Sequence, residues 1–373
     1  MHSGSIKRIG TYSENSQCNG RYNSNHYFSH DDQAYLIHKV NPYKFIAKRR
    51  SGSLLYFLYL KHKKQGEMIS VLIPVYNYDI SFLVNGLHQA LSDFGPFDEI
   101  IIGADGCDEA HIKIFTELEK LDGVKLFISN ENIGRAQIRN RMADMAEGSH
   151  LIFIDADVMK EGNFLPFIRS YYEQINNAPV ICGGTAYRRI PPDDPDRYLR
   201  WNYGIHREQK SARKRNRNPY ASFSGFNFCI EKDIFLKIRF SEELHKYGHE
   251  DTLFGYQLKR AGTAILHIDN PLIHEGIETN RVFIRKTAEG VHNLSLLYDR
   301  VTDRKAFSES VRILGIYRII TRLGAAPLMA LFYRKYGRKV KVYLTRRKRS
   351  TLPLFSLFKL SLFCYYRSVS QAE

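Results

Sequence analysis

The octapeptide LIFIDADV, Leu151–Val158, runs four apolar residues straight into two carboxylates, Asp155 and Asp157, with Ala156 between them. A short apolar run of this kind reads as a buried strand, the habit of a parallel sheet. Two charges at its end are then charges delivered to the sheet's edge. The same rhythm repeats upstream. Ile69–Val75, Glu99–Ala104 and Val124–Ile128 are short apolar runs, and Phe82–Leu91, Ile112–Leu121 and Arg135–Ala146 have helical spacing. Strands alternating with helices predict βαβ units, hence an α/β fold with a mostly parallel sheet flanked by helices. Ligands of such sheets gather beyond the carboxyl ends of the strands. Pro74–Asn77, Asp105 and Asp155–Asp157 all stand there.

The chain of 373 residues is 43% hydrophobic and 25% charged, ordinary for a globular protein with one large or two small domains. Its net charge of +16 is unevenly placed. Residues 1–67 hold 11 Lys and Arg against 4 Asp and Glu, residues 301–373 hold 16 against 3, and residues 68–300 hold 28 against 32. A slightly acidic centre argues against nucleic acid as its substrate. Basic ends suit an anionic surface such as a membrane leaflet. The five cysteines are scattered with no CxxC pair, which supports neither a zinc site nor a disulfide framework and suggests a reducing, cytoplasmic setting. The first fifty residues are polar and lack the pattern of a secretory signal. The expected organisation is a poorly ordered extension over 1–67, a catalytic domain over 68–300 and a basic helical extension over 301–373. Met68 opens MISVLIPVYN as a domain would begin, and is a candidate natural start.

Each candidate site has a plain alternative. Asp155 and Asp157 suit a hard divalent ion, Mg²⁺ or Mn²⁺, that already carries diphosphate oxygens, or they are turn residues. Asp105 before Gly106 is placed to bind a base or ribose, or is a turn residue. Gly134 opens a helix that carries Arg135 and Arg139 on one face, an anion site or a solvated basic face. Glu250 and Asp251 at a helix start are a general base with its neighbour, or residues that complement the helix dipole. His274, ending a short strand, is structural or a third metal ligand. Residues 188–219, polar with prolines and a basic run, read as a long mobile loop.

In order, SVLIPVYN, EIIIGADG, ENIGRAQIRN, LIFIDADV, SGFNFCIEKDIF, GHEDTLFGYQL and PLIHEG resemble the family-2 glycosyltransferases with the Rossmann-like GT-A fold. The likeness is greatest to bacterial members that build surface polysaccharides, and it spans residues 68–297. It implies a metal-dependent, inverting transfer of sugar from a nucleotide-sugar donor, a UDP-sugar, to a glycan or lipid-linked acceptor. It implies nucleotide contacts from Pro74, Tyr76, Asn77, Asp105, Gly134 and Arg135. It implies Asp155 near the ribose or a metal-bound water, Asp157 and His274 on the metal, Asp251 as catalytic base and Glu250 beside it positioning the acceptor. One departure touches base recognition: the family commonly carries two aspartates where this chain has Ala104–Asp105. The competing classes are a nucleotidyltransferase, whose Gly-rich, Lys-containing signature is missing from IPVYNYDIS, and a non-catalytic membrane-binding protein.

The apolar runs LLYFLYL and LPLFSLF are too short to span a bilayer, which takes about 20 residues. RKVKVYLTRRKR followed by LPLFSLFKLSLFCYY suits either an interfacial membrane helix with a peripheral location or a packed helical subdomain with a basic face.

Overall fold

The structure, a computed structural model, describes residues 37–38, 45–46, 68–92, 98–243, 248–346 and 351–370. Contacts divide the chain after Phe57. In the first unit the described part is one antiparallel pair, β1 (Ile37–His38) with β2 (Phe45–Ile46). The expectations of a poorly ordered segment over 1–67 and of a start at Met68 otherwise fall outside the described residues.

The second unit is built on a seven-stranded sheet of order β11-β8-β10-β6-β3-β4-β5. Its strands are β3 (Ile69–Val75), β4 (Glu99–Asp105), β5 (Val124–Ser129), β6 (His150–Ile154), β8 (Val180–Cys182), β10 (Asn227–Glu231) and β11 (Ile265–His267). β3, β4, β5 and β6 are mutually parallel, whereas β10 runs antiparallel to both β6 and β8. The chain lays down β3, β4 and β5 in one direction and then returns to place β6 on the other side of β3. That reversal opens a crevice at the carboxyl ends of β3 and β6, where a ligand would sit.

Both faces of the sheet are covered, which is why its strands are nearly continuous apolar runs. Val71, Ile73, Ile100 and Ile102 pack with Phe115, Phe164 and Phe167 on one face. Leu72, Ile101, Leu151 and Phe153 pack with Ile138 and Met142 on the other. There Phe153 stacks on Phe228 and Phe235, each at 4.9 Å between ring centroids.

A small second sheet does the positioning. β7 (Val158–Met159), β12 (Leu272–His274) and β9 (Thr185–Ala186) form a three-stranded patch. Its register sets His274 opposite Val158, one residue beyond Asp157.

Residues 188–219, expected as a loop, are largely helical. A 3₁₀ turn (Pro195–Arg197), α5 (Tyr198–Tyr203), a π-helical turn (Gly204–Glu208) and α6 (Ala212–Arg215) follow one another. Tertiary contacts override the polar composition here. Leu199 is fully buried. Arg215, buried by Gly183 and Gly184, donates to the carbonyls of Lys210, Cys182, Gly183 and Ile268 at 2.7–3.1 Å.

Beyond the sheet, helices α9 (Asn280–Arg300), α10 (Arg304–Ser310), α11 (Arg312–Arg322), α12 (Ala326–Arg346) and α13 (Leu352–Ser370) form a layer with its own core. Leu199 and Tyr256 of the preceding module enter that core. The aromatic stretch LPLFSLFKLSLFCYY turns its apolar side inward: Phe355, Phe358, Leu362 and Phe363 are at most 1% exposed. This side is therefore packed against protein. Among the described residues no single helix is long and apolar enough to cross a membrane.

Replacing Arg215 with Ala removes one guanidinium donor from four carbonyls, of which those of Cys182 and Gly183 keep the amides of Ile268 and Asn270. Urea unfolding is expected to show a loss of about 3 kcal/mol. Arg215→Lys is expected to recover only part, because an ammonium cannot span the same carbonyls.

Candidate active site

β6 ends at Ile154, and the Asp155 amide still bonds to the Phe226 carbonyl at 3.1 Å. The Asp155 carboxylate turns to Arg139, which donates to it at 2.5 Å. Arg139 lies in the second turn of α3 (Arg135–Met145) and is 2% exposed, so this member of the expected basic face is interior. α3 itself is aimed by Asp105. That carboxylate accepts the Ile133 and Gly134 amides at 2.6 and 3.1 Å, and burial lifts its pKa against those two bonds. The structure thus sets Asp105 to hold the loop before α3. Gly134 follows at φ +88°, a conformation that favours glycine, and opens the helix.

Asn77 has a similar structural task. Its backbone is left-handed at φ +44°, and its side-chain oxygen accepts the Asp108 amide at 2.9 Å. Tyr76 beside it is 58% exposed, and Pro74 sits in β3 itself.

A cleft of about 410 Å³ gathers Arg135, Arg139, Asp155, Asp157, Glu250, Asp251 and His274. The size is that of a small-ligand site. Pro74, Tyr76, Asn77, Asp105 and Gly134 do not line this cavity. They lie along the carboxyl edge next to it. Burial, with the charges of Asp157 and Glu275, raises the phenol pKa of Tyr78, which follows Asn77.

On one wall, His274 Nε2 lies 3.3 Å from Asp157 Oδ2. Burial alone would raise the Asp157 pKa, but the His274 contact and the Arg135 charge hold it below the ordinary value. Gly276 backs this carboxylate so closely that a Cβ there would fall on Asp157 Oδ2. One carboxylate and one imidazole fit a Mn²⁺ or Mg²⁺ ion that draws its other ligands from diphosphate and water. Asp155, also expected near the metal, has an oxygen committed to Arg139. Among the described residues no cluster of three or more His, Cys, Asp or Glu could hold a metal ion.

On the other wall, α8 (Glu250–Arg260) presents Glu250 and Asp251 in its first turn. Gly248 and His249 precede it with φ of +103° and +71°. The second is a strained value for a non-glycine residue. Burial and the Glu250 charge push the Asp251 carboxyl up to about 7. His249 is driven down to about 4 by burial and stays neutral.

Residues 70–239 match the model for glycosyl transferase family 2. They form a family-2 glycosyltransferase domain. Among relatives, a glucosyl-dolichyl phosphate glucuronosyltransferase of Haloferax volcanii is 22% identical over 258 residues, covering 62% of this chain and 79% of its own. An uncharacterized glycosyltransferase of Haemophilus influenzae is 33% identical over 91 residues, covering 24% of this chain and 36% of its own. A solved mannosyltransferase from Pyrobaculum calidifontis, in complex with GDP-Man and Mn²⁺, aligns over 86% of this chain and 94% of its own with a TM-score of 0.48 and 11% identity.

The glycosyltransferase cleft also contains residues that sequence reasoning passed over. Arg200 donates to Glu208 and to the Tyr187 hydroxyl, both at 3.0 Å, and lies over the rings of Tyr187 and Phe283. Burial would raise the Glu208 pKa, but the Arg200 charge and the Tyr187 bond lower it. Tyr187 in turn stands 5.6 Å from the His274 ring. Arg200 and Glu208 come from the segment read as a loop, 188–219, where a π-helical turn disrupts ordinary helical spacing. Gly276 had a signal in PLIHEG, but only its proximity to Asp157 gives that glycine a reason.

Gly276→Ala tests the metal wall without touching a candidate ligand. In electron paramagnetic resonance titrations with UDP present, it is expected to weaken Mn²⁺ binding at least about tenfold, as loss of a supporting residue does. Asp157→Ala is expected to weaken it further. Unchanged Mn²⁺ binding in both would remove Asp157 from the metal shell.

Proposed function

We propose that this chain is a metal-dependent inverting glycosyltransferase. It would move a sugar from a nucleoside diphosphate donor, with UDP as the expected nucleotide, to a hydroxyl of a glycan or lipid-linked acceptor in surface-polysaccharide assembly. The observation that carries the reading is one cleft with two opposed functions. The Asp157–His274 pair lies 3.3 Å apart on one wall, and a carboxyl poised at about 7, Asp251, lines the other. The name of the haloarchaeal relative, a transferase to glucosyl-dolichyl phosphate, supports a lipid-linked acceptor.

In this mechanism Asp157 and His274 would hold Mn²⁺ or Mg²⁺. When bound, such an ion neutralises charge on the departing diphosphate. Arg135 at the start of α3 adds a cation and a helix N-terminus, both favourable to phosphate oxygens. Asp251, ionised, takes the proton from the acceptor hydroxyl. The acceptor oxygen bonds to the anomeric carbon as the carbon–phosphate-oxygen bond breaks, and the nucleoside diphosphate leaves with that electron pair. A single displacement of this kind inverts the anomeric configuration. Glu250 beside Asp251 raises the base's proton affinity by its charge. A base with a pKa near the working pH is the most effective one.

Asp251→Asn is expected to lower kcat by about a hundredfold or more while leaving UDP binding in Mn²⁺ within a few fold. Retained turnover would remove Asp251 as base. The wild-type kcat/KM is expected to fall tenfold per pH unit below about 7 as Asp251 protonates.

Stability gives an independent reading. The folded Asp251 keeps its proton up to about pH 7, whereas the unfolded one releases it at about 4. Ionisation therefore costs stability as pH rises through that window, and the cost is complete above 7. Asp251→Asn is expected to raise Tm at pH 8 and to change it little at pH 4. An equal shift at both values would contradict burial of the charge.

A further inference from the structure

The helical layer has an outer face that its core leaves uncovered. α11 and α12 meet at an elbow with a 113° bend, where Gly324 turns the chain at φ +69°. Four large apolar side chains that flank this bend are exposed: Ile319 is 57% exposed, Leu323 75%, Leu328 64% and Leu331 59%. They are ordered by helical spacing, 319 on α11 with 323 at its C-cap, and 328 with 331 on α12. Continuing along the α12 face at the same spacing, Lys335 and Arg338 are exposed, with Arg334 adjacent. The face is thus apolar at the elbow and cationic along the helix leading from it.

We infer that this elbow is a membrane-docking device that seats its leucines in the interfacial zone of an anionic lipid leaflet. A scattered exposed Leu needs no explanation, but four large apolar side chains left open on either side of one bend point to an interaction site. Charge selects the occupant. Residues 301–373 hold 16 Lys and Arg against 3 Asp and Glu, so a second copy docked here would set like charges against like. Anionic headgroups would complement them, each Lys or Arg adding to the attraction. Neither helix alone is long and apolar enough to cross a bilayer; the bent pair together has the length and composition of a broken span, and the exposed basic residues that continue along α12 favour a pair lying on the surface with its corner inserted. The inference stands apart from the catalytic assignment, because none of these residues lines the cleft.

The test is co-sedimentation of the full chain with vesicles of phosphatidylglycerol and phosphatidylcholine, and with phosphatidylcholine alone, at low and high salt. Binding to the anionic vesicles is expected. The double variant Leu323→Asp, Leu328→Asp is expected to weaken it at least about tenfold at either salt. The triple variant Arg334→Gln, Lys335→Gln, Arg338→Gln is expected to lose the salt dependence and most of the preference for anionic lipid. In solution both variants are expected to keep the wild-type Tm and UDP binding, since all five positions are exposed. Leu323→Trp supplies a readout that does not depend on a damaging substitution: its emission is expected to shift to the blue on adding anionic vesicles, beyond any change from Trp201 in the wild type. Failure of the wild type to bind, undiminished binding of the double variant or an unshifted emission from the Leu323→Trp variant would each overturn the inference. So would light scattering that shows a wild-type dimer converted to monomer by the double variant with no change on vesicles.

Discussion

Arg139 is a buried cation at the edge where the chemistry gathers, and much of the site depends on it. It bonds the Asp155 carboxylate at 2.5 Å and the Gly225 carbonyl at 3.3 Å, and lies over the Phe240 ring at 5.4 Å. Those partners come from the end of β6, the approach to β10 and the segment after α7 (Lys232–Ile238). One guanidinium therefore fixes the positions of three chain segments around the head of the cleft. A buried ion pair is a poor source of net stability, but losing one partner strands the other's charge. Its positive charge also reaches Asp251, where it works against burial and Glu250. The proton affinity of the proposed base is thus set partly by a residue whose direct partners belong to the fold.

This interaction divides the two aspartates of LIFIDADV. Asp155 faces inward to Arg139, and Asp157 faces His274 across the small sheet. The difference comes from register: β12 pairs with β7 so that His274 meets Val158, and the Glu275 amide closes on the Asp157 carbonyl at 2.9 Å. Strand alternation places residues two apart on one face only while the strand continues. Here it stops at Ile154 and resumes at Val158, so the two side chains part.

The parallel half of the sheet was legible because its signal is local. Ile69–Val75, Glu99–Asp105, Val124–Ser129 and His150–Ile154 match the apolar runs within a residue or so. The strand ends bearing Asp155 and Asp157 followed from that. What could not be read was the partner of each carboxylate. The strand-end position of Asp105 does not reveal that its two oxygens accept amides 28 and 29 residues away. The stretch 188–219 reads as a loop because prolines, charges and a π-helical turn hide its helices. Its order comes from long-range contacts, with Leu199 entering the helical core and Arg215 capping carbonyls around Gly183 and Gly184.

The helical layer shows why such contacts also bear on function. Its inner side backs two residues that line the cleft: Lys359 of α13 donates to the Tyr203 hydroxyl at 3.1 Å, and Phe283 of α9 lies under Arg200. Its outer side displays the apolar elbow. Cutting the layer away would expose Leu199 and Tyr256, release Tyr203 and disturb the wall beside His274, so a truncated chain would lose more than its surface. The aromatic stretch of α13, whose composition suited a lipid interface, is committed to the protein core. The leucines beside the elbow, Leu323, Leu328 and Leu331, are the ones left open. Composition alone does not separate the two segments, because it does not tell which apolar side is already paired.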